Sequence, residues 1–125
     1  MLTSRLLSLI TLVLAFALFQ GAWLTFDGGR ALIIGDYVTP KSGSRAGQLG
    51  PWSQIVSALG INPRGGFMKG VHVLLGIAWL AAVILLFVRP ETGRWFALGC
   101  GVATLWYLPI GTVVSLIVIV LMARS

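Results

Sequence analysis

Four apolar stretches run through the chain, and one long hydrophilic segment separates the first from the rest. Residues 6–24 are apolar except for Gln20, with Ser8 and Thr11 as mild exceptions. A hydroxyl can bond back to its own helix, so neither forbids lipid. Residues 71–88 carry no full charge, and residues 95–122 are apolar apart from the interruption Pro109-Ile110-Gly111. An apolar run of ~18 or more residues reads as a membrane-spanning helix. Helices satisfy their own backbone groups, as lipid requires. The pattern predicts an all-α integral membrane protein in one membrane domain, residues 1–125.

Punctuation sets the number of spans. Asn62-Pro63 reads as a capped helix start, placing the second span's entry into hydrocarbon near Gly70. Arg89-Pro90 stops it, Glu91-Thr92-Gly93 reads as a tight connection, and Arg94-Trp95 opens the next helix with a snorkelling base and an interfacial ring. As a single helix, residues 95–122 would measure about 42 Å, well above the ~30 Å of hydrocarbon. The rings of Trp106-Tyr107 belong at an interface, and Pro109 with Gly111 makes a stop and restart. Four transmembrane helices are therefore expected, at about 6–24, 70–88, 95–108 and 110–122, the last two a short hairpin broken near Pro109; one kinked helix is the alternative. Arg5, an apolar run and Ala15-Phe16-Ala17 also resemble the parts of a signal peptide. Because the run continues to Trp23, a retained helix is preferred.

The long loop, residues 25–69, holds most of the polar side chains. Asp27-Gly28-Gly29-Arg30 reads as a turn. Ala31-Leu32-Ile33-Ile34 is too brief to span, and residues 36–45 are rich in turn formers and expected to be irregular. Pro51 and Gly60 then bracket a short amphipathic helix. Trp52, Ile55, Val56 and Leu59 form its apolar stripe, with Ser53, Gln54 and Ser57 opposite. So short a helix is marginal alone and needs a surface, either the bilayer interface or the end of the bundle.

Composition agrees with the hydropathy. Of 125 residues 58% are hydrophobic and only 10% charged, far from the soluble average. The net charge of +6 comes from basic residues at the ends of apolar segments, where anionic headgroups favour them. No basic run or stacking motif points to nucleic acid. Arg5, Arg89, Arg94 and Arg124 fall in short segments on one side of a four-span topology, which favours cytoplasmic termini. The stretch from Pro109 through Ser115 into an Ile/Val-rich tail resembles the endings of small bacterial membrane proteins and implies no activity. A bacterial inner membrane is the expected location.

Candidate chemistry is sparse. The apolar segments hold no Asp, Glu, Lys or Arg, which argues against a proton relay or buried ion pair. His72 alone meets none of the usual criteria for a metal or haem site and reads as bonded to water or a carbonyl. Cys100 has no base in its helix and reads as a small packing residue. Asp27, Asp36 and Tyr37 do not match a calcium loop, and the glycine pairs lack the phosphate-loop pattern. No catalytic, cofactor or metal residue is assigned. What remains is packing: Ala97, Gly99, Cys100, Gly101, Ala103 and Thr104 share one broad face of the third span, with Leu98, Val102, Leu105 and Trp106 opposite. Small residues let spanning helices approach closely, and Gly66-x-x-x-Gly70 repeats the theme. The expected function is that of a non-enzymatic accessory or assembly subunit, meeting the lipid bilayer and either a membrane-protein partner or further copies of itself. The alternatives are an oligomeric channel or transporter component lined by Gln20, Thr104, Thr112 and Ser115, or a lipid-acting enzyme using Asp27, Asp36 or His72.

Overall fold

A computed structural model describes residues 4–39, 47–107 and 110–124. Among the described residues the protein is all-helical, with five helices and no strand: α1 (Ser4–Ile34), α2 (Trp52–Ala58), α3 (Gly66–Val88), α4 (Pro90–Ala103) and α5 (Ile110–Arg124). Two are long and apolar enough to cross a membrane, α3 throughout and α1 over Ile10–Ile34.

The turn expected at Asp27-Gly28-Gly29-Arg30 is instead helix, and α1 continues through it. Tertiary contact overrides the local turn preference here. A Cβ on Gly28 would lie 2.7 Å from the His72 Cβ and 2.9 Å from the Val73 nitrogen, so glycine brings α1 onto α3. The Asp27 carboxylate, which a turn would expose, is buried and accepts the Val38 N–H at 2.7 Å. Gly35 ends the helix at φ 115°, its N–H donating to the Ala31 carbonyl. Residues 25–34 therefore leave the expected loop and join the first helix.

The start of α3 also moves, from Pro63 to Gly66. Asn62 turns its side chain onto the Arg64 N–H at 3.0 Å while the Gly65 N–H meets the Asn62 carbonyl, so Asn62-Pro63 makes a turn ahead of the helix. At the far end Arg89 alone separates α3 from α4. Pro90 takes the first helical position and Glu91-Thr92-Gly93, expected as a connection, is the first turn of α4. This hairpin closes because Gly93 has no side chain: a Cβ there would come 2.5 Å from the Leu86 nitrogen and 2.7 Å from the Leu85 carbonyl carbon. The last apolar stretch is broken, but earlier than expected, since its first helix stops five residues short of 108. Its first helix ends at Ala103 and its second begins at Ile110. Residues 1–3, 40–46, 108, 109 and 125, which include Pro109 and the later part of the irregular run expected over residues 36–45, lie outside the described residues.

The four longer helices form a ring in which α1 packs on α3, α3 on α4, α4 on α5, and α5 back on α1. Neighbours run antiparallel. Gly21 lies beside Gly76 and Gly28 beside His72; Gly93 lies beside Leu86, and Trp79 Nε1 donates to Thr104 Oγ1 at 3.0 Å. Arg94 Nε reaches the Met122 carbonyl at 2.8 Å, fixing α4 against the end of α5. The Gln20 amide donates to the Gly111 carbonyl across the α1–α5 seam. Inside the ring lie Val13, Ala17, Gln20, Leu24, Trp79, Ala82, Ala97, Cys100, Thr104, Ser115 and Val118; outside lie Leu12, Leu18, Phe19, Leu74, Ile77, Ile84, Phe87 and Leu116. The loop between α1 and α3 folds over one end of this ring, and α2 is its lid.

Candidate functional site: an aromatic enclosure around a buried histidine

The chemistry of the capped end converges on His72. Its Nδ1 lies 2.7 Å from the Met68 carbonyl, one turn earlier on α3. A carbonyl only accepts, so Nδ1 carries the proton and Nε2 presents a bare lone pair. Among the described residues Nε2 has no partner, and the side chain is fully buried. Four rings surround the imidazole: Tyr37 at 4.7 Å, Trp52 at 4.7 Å, Tyr107 at 5.3 Å and Trp106 at 5.6 Å between centroids. Edge-to-face and tilted packing of this kind adds to plain area burial.

Each ring is delivered by a different piece of chain. Tyr37 comes from the stretch after α1, its hydroxyl donating to the Pro63 carbonyl at 2.9 Å. Trp52 opens α2, and Trp106 and Tyr107 come from the turn after α4. The Tyr107 hydroxyl accepts from Trp23 Nε1 of α1 at 2.9 Å, while Trp106 Nε1 donates to the Ala103 carbonyl at 2.7 Å. One imidazole from α3 thus ties together all the segments at this end. Burial, reinforced by Asp27, Tyr107 and Asp36, pushes the Tyr37 phenol well above its ordinary value, so it stays protonated.

Basic side chains hold the lid at its edges. Arg30 Nη1 donates to the carbonyls of Asp36 and Tyr37 at 2.8 and 3.0 Å, and Lys69 Nζ to the Gly35 carbonyl at 2.8 Å. Arg64 meets Asp36 Oδ1 at 3.0 Å and the Gly47 carbonyl at 2.6 Å. Partial burial alone raises the Asp36 carboxyl. The Arg64 hydrogen bond, the Tyr37 N–H and the charges of Arg64 and Lys69 outweigh it and hold the group below its ordinary value. Among the described residues no three His, Cys, Asp or Glu side chains lie together as a metal would need.

The loop-helix residues read from the sequence divide. Trp52 and Val56 are buried, Ile55 is half-buried, and Leu59 is 72% exposed. Leu59 leaves the expected stripe because α2 stops at Ala58 and Leu59 caps it at φ −84° and ψ 2°. Trp52 faces the end of the bundle, against His72 and Tyr107.

The packing residues divide as well. Ala97 and Gly101 are buried, while Ala103 is exposed and Gly66, Gly70 and Gly99 have open space beside them. A Cβ on Gly101 would lie 2.8 Å from Ile119 Cγ1 and 3.4 Å from the Ser115 carbonyl, so this glycine seats α5 on α4. Gly101→Leu is expected to cost about 1–3 kcal/mol by overpacking, and Gly99→Leu almost nothing. Thermal unfolding of the two variants in detergent checks this. Equal midpoints would show that α5 does not press on Gly101.

The closest approaches were not singled out in the sequence. Gly21, Gly28, Gly76 and Gly93 all stand where a Cβ would collide with a neighbouring helix. Their signal was spacing: Ala17, Gly21, Thr25 and Gly28 follow one helical face, visible only if the Asp-Gly pair is not taken as a turn. None of the family models, curated proteins or solved structures compared with this chain matches it.

Proposed function

We propose that this chain is a four-pass membrane protein of a bacterial inner membrane, both termini cytoplasmic, acting as an accessory or assembly subunit through helix packing rather than catalysis. The observation that carries the reading is the apolar exterior of the ring. Large apolar side chains such as Leu18, Phe19, Leu74, Ile84 and Phe87 point outwards, while Gln20, His72, Thr104 and Ser115 are buried within the mostly apolar interior. A surround of lipid accounts for such an exterior, and polar side chains of a spanning helix face the bundle interior.

The short helices fit four spans. Gly93 lies beside Leu86 and Tyr107 beside His72, so α4 and the turn after it match α3 from His72 to Val88. That length of α3 rises about 26 Å, close to the hydrocarbon thickness of ~30 Å. Trp23, Trp106 and Tyr107 mark one boundary, and Arg89, Arg94 and Trp95 the other, as interfacial residues do. The channel alternative has less support. Thr104, one of its proposed lining groups, spends its hydroxyl on Trp79 and on the Cys100 carbonyl.

In a Cys100→Ala background, single cysteines at Ser4 and Ser125 should react alike with an impermeant maleimide on intact cells, both poorly until the membrane is permeabilised. Opposite labelling removes the four-pass arrangement. For the assembly role, a photocrosslinking side chain at Leu74 or Phe87 should yield a discrete protein adduct in cells; lipid adducts alone would leave the chain without a partner on that face.

A further inference from the structure

His72 is a buried titratable side chain, and a loop rather than a packed helix closes the enclosure over it. With one proton on Nδ1 against the Met68 carbonyl, a second proton can go only to Nε2, which meets no donor or acceptor among the described residues. The charged and titratable groups of every surrounding element are committed elsewhere. From α1 come Asp27, held on the Val38 N–H, and Arg30, held by the carbonyls of Asp36 and Tyr37. Asp36 faces Arg64, and on α3 itself Lys69 donates to the Gly35 carbonyl. The Tyr37 hydroxyl is spent on the Pro63 carbonyl, and that of Tyr107 takes the Trp23 indole. The lid helix α2 carries no titratable side chain. A charge on Nε2 would therefore have no carboxylate bonded to it. Aromatic faces attract a cation, but by less than the hydration that a lone charge gives up on burial.

We propose that α2 is an acid-sensitive lid: a proton on His72 Nε2 places an unpaired charge inside the aromatic enclosure and lifts Trp52 away from it. The lid is the part that yields. It has 7 residues and rests on the bundle through Trp52 and Val56, whereas α1 and α3 meet backbone to backbone at Gly21, Gly28 and Gly76. Lifting Trp52, whose ring centre is 4.7 Å from that of the imidazole, lets water reach Nε2. The open state binds one proton more than the closed state, so acid favours opening. The Asp36–Arg64 pair also holds the lid but responds in a lower range, because the Asp36 carboxyl is held below its ordinary value and stays ionised at pH 5 and above. The topology proposed above puts the lid on the outer side of the membrane, where pH follows the surroundings. That placement stands or falls with the labelling of the two termini, and the switch is read independently of it.

The test is hydrogen exchange of the full chain in nanodiscs, read at the amides that close α2: Leu59 on the Ile55 carbonyl, Gly60 on that of Ser57, and Ile61 on that of Val56. Protection is taken against an unstructured peptide at the same pH, which removes the pH dependence of exchange itself. If only the open state takes the proton, at the ordinary imidazole value of about 6.5, the open fraction rises roughly thirtyfold between pH 7.5 and pH 5. Protection of the lid should fall by that factor while the interior of α3 keeps its own. His72→Phe retains a ring with nothing to titrate and should flatten the response. His72→Asn, which keeps a donor on the side chain, should do the same and serves if the Phe variant does not fold. Asp27→Asn still offers the Val38 N–H an acceptor and should leave the response intact. Lid protection that is unchanged or higher at pH 5 overturns the proposal. So does a response that survives in His72→Phe or His72→Asn, or one that disappears in Asp27→Asn, which would make the carboxylate the sensor.

Discussion

Gly76→Leu is expected to destabilise the protein by about 3 kcal/mol, the upper part of the usual range for overpacking. Even the first atom of a side chain at this position would run into the Thr25 hydroxyl, and would lie 2.5 Å from the Thr25 nitrogen and 2.9 Å from the Gly21 carbonyl oxygen. The hydroxyl can rotate; the backbone of α1 cannot. The two helices must separate, and the contacts between α1 and α3 on either side of this point open with them. Gly70→Leu makes the same chemical change on the same helix, where open space receives it. A lower unfolding midpoint in detergent for Gly76→Leu alone is the expected result. If both variants keep the parent midpoint, α1 and α3 do not approach one another here.

The second large effect is expected at Trp52, which is 5% exposed and touches Tyr37, His72, Trp106 and Tyr107. Trp→Ala in a packed core costs about 3–5 kcal/mol. Most of that loss falls on the lid, because α2 has only 7 residues and is not stable as an isolated helix. Trp52→Ala should therefore open the segment from Gly47 to Gly65 to protease while the helical content of α1, α3, α4 and α5 persists. Trp52→Phe should restore most of the protection. Unchanged cleavage in Trp52→Ala would mean that the lid is held by Arg30, Arg64 and Lys69 rather than by the ring cluster.

The helical class, a break ahead of Ile110 and the existence of α2 were legible in the sequence because each rests on local physics, although α4 stops at Ala103 rather than at the expected 108. Apolar run length sets a helix, Pro109 with Gly111 breaks one, and Pro51 with Gly60 brackets one. Positions governed by contact were not legible. Asp27-Gly28 has the form of a turn, yet Gly28 is needed as helix so that α1 can meet His72 and Val73. Arg89-Pro90 was correctly read as a stop, but a one-residue connection depends on Gly93 resting on the backbone of Leu86, which no window of the sequence contains. The small face of α4 was half visible. Every residue on it is small, and only the position of α5 distinguishes Gly101 from Gly99. The histidine enclosure was the least accessible, since its rings come from residues 37, 52, 106 and 107 and only the folded ring of helices assembles them.

The bond from Gln20 to the Gly111 carbonyl joins residues 91 positions apart, and this separation has a consequence for biogenesis. Translation delivers α1 first and α5 last. Until α5 arrives, the side-chain amide of Gln20 has no carbonyl from that seam to meet, although α3 is already present to cover the Gly21–Gly28 face. An incomplete chain is thus left with one polar group on an open edge, in the middle of an apolar helix.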